Sequence, residues 1–161
     1  MIKVLFVCLG NICRSPLAEA IFNHKLKSVA LDYKIKCDSC GTSDYHIGEL
    51  PDERTITCAQ KHKIPISHRA RQLNRVDLRE FDYIIAMDQS NMDNIEQLIL
   101  KNSLKHQNVY LIREFQPNTT NLDVPDPYYG GQDGFENVYN ILDDSLNHFL
   151  EHLKLEHQVY V

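Results

Sequence analysis

Val7-Cys8-Leu9-Gly10-Asn11-Ile12-Cys13-Arg14-Ser15-Pro16 places a thiol and a guanidinium at the two ends of one short turn. Residues 1–7 (MIKVLFV) are a β-branched apolar run of strand length, and from Pro16 onward Leu17, Ala20 and Ile21 recur at helical spacing. A strand enters the turn and a helix leaves it. The first N–H groups of such a helix lack partners within it, and the aligned peptide dipoles add positive potential there. Gly10 and Asn11 are the residues that best tolerate the left-handed backbone a tight turn needs. The turn is therefore expected to cradle a tetrahedral oxyanion. Arg14 would grip two oxygens of one phosphate with parallel N–H donors. Cys8 would lie at the floor, where loop amides, a helix terminus and an arginine favour a reactive thiolate.

Working outward, residues 34–39 (KIKCDS) read as a second strand, after a helix ending near Ser28 or Val29. Residues 41–52 form a loop, and Pro51 with Asp52 marks a helix running to about His62. Residues 64–68 (IPISH) are extended, because the residue before a proline disfavours helix. Residues 69–80 carry Arg69, Arg71, Arg75 and Arg79 among acids, and we read them as a solvated face. Residues 81–87 (FDYIIAM) are a third strand with a cap-rich exit at Asp88, followed by a helix through Met92, Ile95, Leu98 and Ile99. Residues 108–112 (NVYLI) are a fourth strand. The long segment 113–133 holds Pro117, Pro125, Pro127, Gly130 and Gly131, and loops of this length are usually functional or disordered. A last helix from about Gly134 buries Val138, Ile141, Leu142, Leu146, Phe149 and Leu153, and the tail beyond Lys154 is expected to fray. Strands alternating with helices imply an α/β fold, a four-stranded parallel sheet with helices on both faces in three layers. Ligands of such sheets bind at the carboxyl ends of the strands.

The string VCLGNICRSP after an N-terminal strand resembles the signature of the low-molecular-weight protein tyrosine phosphatases. Displacing an aryl oxide needs a positioned acid, and Asp126 in DVPDPYYG is the candidate, stiffened by flanking prolines and walled by Tyr128 and Tyr129. The resemblance implies Cys8 as nucleophile, Arg14 as phosphate clamp and Asp126 as general acid and then base. It implies that Asn11 and Ser15 hold the loop and the thiolate by hydrogen bonds, and that Ser39 and His68 brace Asn11. It further implies that Tyr45 and Tyr128 line an aromatic slot beside Leu9 and Ile12. Cys13, within the same loop, would form a disulfide with an oxidised Cys8 and so protect it.

At 161 residues, 43% apolar and 24% charged, the chain is expected to form a single phosphatase domain over 1–161. No apolar run reaches the ~18 residues of a membrane span, and no secretory leader is read. A net charge of -5 argues against nucleic acid. Five cysteines in an odd, sparse set suggest reduced thiols in the cytoplasm. Cys37-x-x-Cys40 lacks a second ligand pair at zinc spacing, and His62 and His68, though conceivable partners, do not supply one, so neither a metal nor another cofactor is expected. The expected partners are tyrosine-phosphorylated proteins, with no membrane contact and a monomer or weak dimer. Three alternatives stand beside this reading. Arsenate reduction needs further cysteines to relay a disulfide out of the site, and in the related reductases these follow the third strand, where residues 86–91 (AMDQSN) have none. Phosphoarginine hydrolysis is associated with Thr where this chain has Ile12. A phosphate-binding module without turnover would be expected to lack either Cys8 or Asp126.

Overall fold

β1 (Ile2–Cys8) is the strand on which the sheet is built, and Val4, Leu5, Phe6 and Val7 are wholly buried. A strand covered on both faces reads as an unbroken apolar run, which is why MIKVLFV shows no alternation. The computed structural model describes residues 1–106 and 108–160. β1 pairs in parallel with β2 (Ile35–Gly41) on one side and with β3 (Tyr83–Ala86) on the other, and β4 (Val109–Leu111) follows β3. The order β2-β1-β3-β4 makes the chain change direction across β1, so a crevice opens between the ends of β1 and β3. Cys8 is the last residue of β1 and stands at that crevice.

The helices divide between the two faces as expected. Val4, Phe6 and Cys8 pack with α1 (Arg14–Ser28) and α5 (Gln132–His157), while Leu5 and Val7 pack with Leu78 of α3 (Arg75–Glu80) and Met92 and Ile95 of α4 (Gln89–Lys101). α2 (Glu53–Lys61) lies against α5. Asp52 caps α2 by accepting from the Arg54 N–H, and Asp88 and Asn91 cap α4 reciprocally. Among the described residues no helix is long and apolar enough to cross a membrane.

Three readings change. Residues 69–80 are not merely a solvated face: Asn74 and Asp77 start α3 with a capping box, and Asp77 is buried against Arg71. The tail beyond Lys154 does not fray through its described length. α5 runs to His157, Gln158 turns left-handed, and Val159 folds back into the core; Val161 lies outside the described residues. The segment after β4 begins with a 3-10 turn, Ile112–Phe115, whose Phe115 reaches the core. Elsewhere the differences are of one or two residues at element ends, where terminal hydrogen bonds are marginal. The Cys37 and Cys40 thiols, three apart on a strand, point to opposite faces of the sheet and cannot share an ion.

Phe149 joins the layers. Its ring centroid lies 6.4 Å from Phe6, 5.4 Å from Phe22, 5.9 Å from Tyr83 and 4.9 Å from Phe115. We expect Phe149→Ala to cost about 3–5 kcal/mol in urea unfolding, and Tyr33→Ala at an exposed ring to change it by less than about 0.5.

Candidate active site

The 8–14 loop closes over the end of β1. α1 begins at Arg14, two residues before Pro16, and its N-cap Cys13 makes no side-chain cap, so the first N–H groups of the helix are left for an anion. Asn11 is left-handed at φ 58°, as the turn requires, but Gly10 is not in that region. Gly10 is small for another reason: a Cβ there would press on the His46 ring at 3.0 Å. Gly41, at the end of β2, must also lack a side chain, because a Cβ would lie 2.6 Å from the Leu9 carbonyl oxygen. This close approach lets Thr42 N–H donate to the Cys8 carbonyl at 2.9 Å and Ser43 N–H to that of Leu9 at 3.0 Å.

Asn11 is held on every side. Its Oδ1 accepts from the Arg71 N–H at 3.0 Å, which orients the amide, so Nδ2 donates to Ser15 Oγ at 2.8 Å and Ser39 Oγ at 3.0 Å. With Oδ1 an acceptor, His68 Nε2, 2.7 Å away, must be the donor. The Asn11 N–H points at Cys8 Sγ at 3.3 Å, and Ser15 Oγ lies 3.0 Å from the same sulfur. The four residues expected to support the loop, Asn11, Ser15, Ser39 and His68, thus form one connected network behind Cys8.

Arg14 is almost wholly buried and faces two carboxylates. Nη1 donates to Asp88 Oδ2 at 2.7 Å and to the Val124 carbonyl at 3.0 Å, while Nη2 is 3.6 Å from Asp126 Oδ2. Burial works against its charge, but Cys8, Asp88 and Asp126 more than offset this and raise its pKa. Asp126 Oδ1 accepts from the Tyr128 N–H at 3.0 Å. Arg54, paired with Asp52, donates to the Tyr128 and Gly130 carbonyls, both at 2.9 Å, and so anchors the segment that carries Asp126.

Cys8, Leu9, Gly10, Ile12, Cys13, Arg14, Tyr45, Asp126, Tyr128 and Tyr129 all line one cleft of about 290 Å³, together with His46. Tyr45 and Tyr129 are mostly exposed at its mouth, and the Tyr128 and Tyr129 rings meet edge to face at 5.0 Å. Burial, with Asp52 and Cys8 adding to it, pushes the Cys13 thiol up to about 12. His46, Asp88, Arg54, Arg71 and Glu19 also belong to the site, though none of them is a site candidate from the sequence. Asp88 was visible as a cap, and only the folded chain shows its second oxygen turned to Arg14. The remaining four act through contacts between distant segments and carry no local signal.

Glu19 lies behind the network. Ser39 Oγ donates to its Oε1 at 2.7 Å, and His68 Nδ1 is 3.1 Å from the same oxygen. Burial raises the Glu19 carboxyl from 4.5 to about 7, and burial lowers His68. The two shifts favour a neutral pair in which the Glu19 hydroxyl donates to Nδ1, keeping the proton on Nε2 that Asn11 needs. A carboxyl held above its unfolded value contributes stability that is complete below that value and is lost as pH rises through the folded one. We therefore expect the unfolding free energy to fall between 4.5 and about 7. Glu19→Gln mimics the neutral acid and should remove that part of the slope. Equal slopes in urea titrations of the two proteins would show that Glu19 is not the group responsible.

The sequence profile of the family described as low molecular weight phosphotyrosine protein phosphatase matches residues 3–159. The chain is 44% identical to the low molecular weight phosphotyrosine protein phosphatase of Schizosaccharomyces pombe over 151 residues, covering 93% of this chain and 96% of that protein. A solved protein tyrosine phosphatase from Entamoeba histolytica superposes with a TM-score of 0.87 at 36% identity, over 98% of this chain and 99% of that one. A Drosophila arginine phosphatase gives a TM-score of 0.90 at 32% identity, over 95% and 98% of the two chains. With the profile spanning nearly every residue and these identities alongside it, the chain belongs to the low molecular weight phosphotyrosine protein phosphatase family.

Proposed function

We propose that this chain hydrolyses phosphotyrosine in proteins through a phosphocysteine intermediate. The observation that carries the reading is the convergence of Cys8, Arg14 and Asp126 on one aromatic-rimmed cleft. The Cys8 thiolate attacks phosphorus in line while Arg14 and the loop N–H groups hold the equatorial oxygens. The bond from phosphorus to the aryl oxygen breaks, and Asp126 gives its proton to the departing phenolate. The Asp126 carboxylate then takes a proton from water, whose oxygen attacks phosphorus, and the P–S bond breaks to return the thiolate. Charge on the transferring group is met by Arg14 and backbone amides, so the chemistry asks for no metal. The rim of Tyr45, His46, Tyr128 and Tyr129 over Leu9 and Ile12 offers aromatic and apolar walls to a phenyl ring, and Ile12 in place of Thr favours the aryl phosphate over phosphoarginine. We place the enzyme in the cytoplasm, where reducing conditions keep thiols such as its five free cysteines reduced.

In the presence of a chelator, Cys8→Ser should lose at least about 10³-fold in activity toward p-nitrophenyl phosphate. Asp126→Ala should lose about 10²–10⁴-fold on phenyl phosphate and less on p-nitrophenyl phosphate, whose leaving group needs protonation less. The wild type should prefer a phosphotyrosine peptide to a phosphoarginine peptide. Activity that survives Cys8→Ser, or that requires added metal, would overturn the mechanism.

Cys13 lines the cleft beside Cys8. Peroxide converts the Cys8 thiolate to a sulfenic acid, which condenses with the Cys13 thiol to form a disulfide and water before further oxidation. After peroxide and then dithiothreitol, Cys13→Ser should regain a smaller share of its activity than the wild type. Equal recovery would remove Cys13 from this role.

A further inference from the structure

Cys58, His62 and Glu136 meet where α2 packs on α5, and none of them lines the catalytic cleft. Cys58 and His62 stand one helical turn apart on α2 and its C-cap, and Glu136 reaches across from the start of α5. One ligand-type atom from each, a sulfur, an imidazole nitrogen and a carboxylate oxygen, lies within 4.8 Å of the other two. His62 Nε2 is 2.9 Å from Glu136 Oε2, and its ring is fixed flat on Tyr139 at 3.6 Å and 9°. Cys58 is fully buried, while His62 and Glu136 are partly exposed. Glu136 Oε1 is buried without a hydrogen-bond partner, and the approach of Lys61 Nζ to 3.5 Å comes from an exposed, displaceable side chain.

From this geometry we infer that Cys58, His62 and Glu136 form a site for a divalent ion of the zinc class, with its fourth position open to solvent. Thiolate, imidazole and carboxylate together suit Zn²⁺ rather than Mg²⁺ or Ca²⁺, which take oxygen ligands. Glu19, Asp38 and His68 also cluster, but their polar atoms are already committed to Ser39, Arg71 and Asn11. On binding, the ion takes Cys58 Sγ, which gives up its 3.7 Å contact to the Phe135 carbonyl and loses its proton to solvent. The His62 proton moves from Nε2 to Nδ1, and Lys61 gives up Glu136. The ion takes Cys58 as the thiolate, so binding releases a proton and strengthens with pH. The site would clasp α2 to α5 just beyond the segment carrying Asp126. Cys58 packs there in a small cluster with Ile12, Cys13, Ala70 and Phe135.

The test is titration of the full chain with Co²⁺ and Zn²⁺, in a Cys8→Ser background so that the cleft thiol cannot bind metal. We expect one equivalent bound, with a near-ultraviolet sulfur-to-Co²⁺ charge-transfer band. The apparent Kd should tighten about tenfold from pH 7 to 8, as loss of one thiol proton requires. Adding Cys58→Ser or Glu136→Gln should weaken binding more than about tenfold. Zn²⁺ should raise the thermal midpoint of the Cys8→Ser protein and leave that of the Glu136→Gln variant unchanged. If Cys58→Ser fails to fold, Glu136→Gln, at a partly exposed position, carries the comparison. Failure to bind, absence of the charge-transfer band, or affinity unchanged by Glu136→Gln would overturn the site. None of these readouts depends on turnover, so they stand or fall separately from the phosphatase reading.

Discussion

The Asn11 side-chain amide is the contact on which the rest of the site depends. Left-handed backbone at a residue with a Cβ costs about 1–2 kcal/mol, and here it is required so that the Asn11 N–H turns toward Cys8 Sγ. Four hydrogen bonds, two buried and two part-buried, offset that cost, each contributing about 0.5–1.5 kcal/mol net. They come from Ser15 on α1, Ser39 on β2, and His68 and Arg71 on the connection after α2. One amide with two donors and two acceptor positions filled has no freedom to rotate. The loop is therefore set before any ligand arrives, which is the condition for oriented amides to act on a transferring group without reorganisation.

Ser15 extends this order to the sulfur. Its hydroxyl has one hydrogen and two acceptors within reach, the Cys40 carbonyl at 3.2 Å and Cys8 Sγ at 3.0 Å. When Cys8 is a thiol, its S–H can donate to Ser15, and Ser15 donates to Cys40. When Cys8 is a thiolate, the same hydroxyl can turn to the sulfur while Asn11 Nδ2 still donates to its oxygen. Both states of the nucleophile are satisfied by rotation about one bond. Burial, with the neighbouring Asp52 and Cys8, raises the Cys13 thiol in the same cradle.

The parallel sheet and the cleft-facing loop were legible because each rests on a local pattern: an unbroken apolar run, a helical repeat, a turn carrying Cys8 and Arg14. Asp126 was legible only together with the Cys8 loop: alone, an Asp between prolines is turn chemistry, and beside that loop DPYYG resembles the family's acid segment. What escaped was made by residues far apart in the chain. Arg71 looked like one charge in a solvated stretch, yet it bridges Asp38 and Asp77 and lends its N–H to Asn11. Nothing near Glu19 says that Ser39 and His68 will close over it. Gly10 was read as a backbone device, and its smallness instead makes room for His46, a contact between loops with no sequence signature. The tail from Lys154 looked polar enough to fray, but a single apolar residue, Val159, suffices once Gln158 turns the chain back.

The two carboxylates beside Arg14 explain why the proposed acid is one and not the other. Asp88 has both oxygens engaged, Oδ1 by the Asn91 N–H at 2.8 Å and Oδ2 by Arg14 at 2.7 Å, with a side chain 20% exposed. A carboxylate so placed can fix the guanidinium plane, but it has no oxygen free to hand a proton to a leaving group. Asp126 gives only Oδ1 to the backbone, leaving Oδ2 at 3.6 Å from Arg14 on a side chain 38% exposed. Its segment is fastened from behind by Arg54 through two backbone carbonyls. This second oxygen, paired only loosely with Arg14, is thus presented to the cleft from a stiff loop on a side chain open to water, and both are needed. The first step asks for a proton delivered at a fixed position, and the second asks the same atom to take one from solvent.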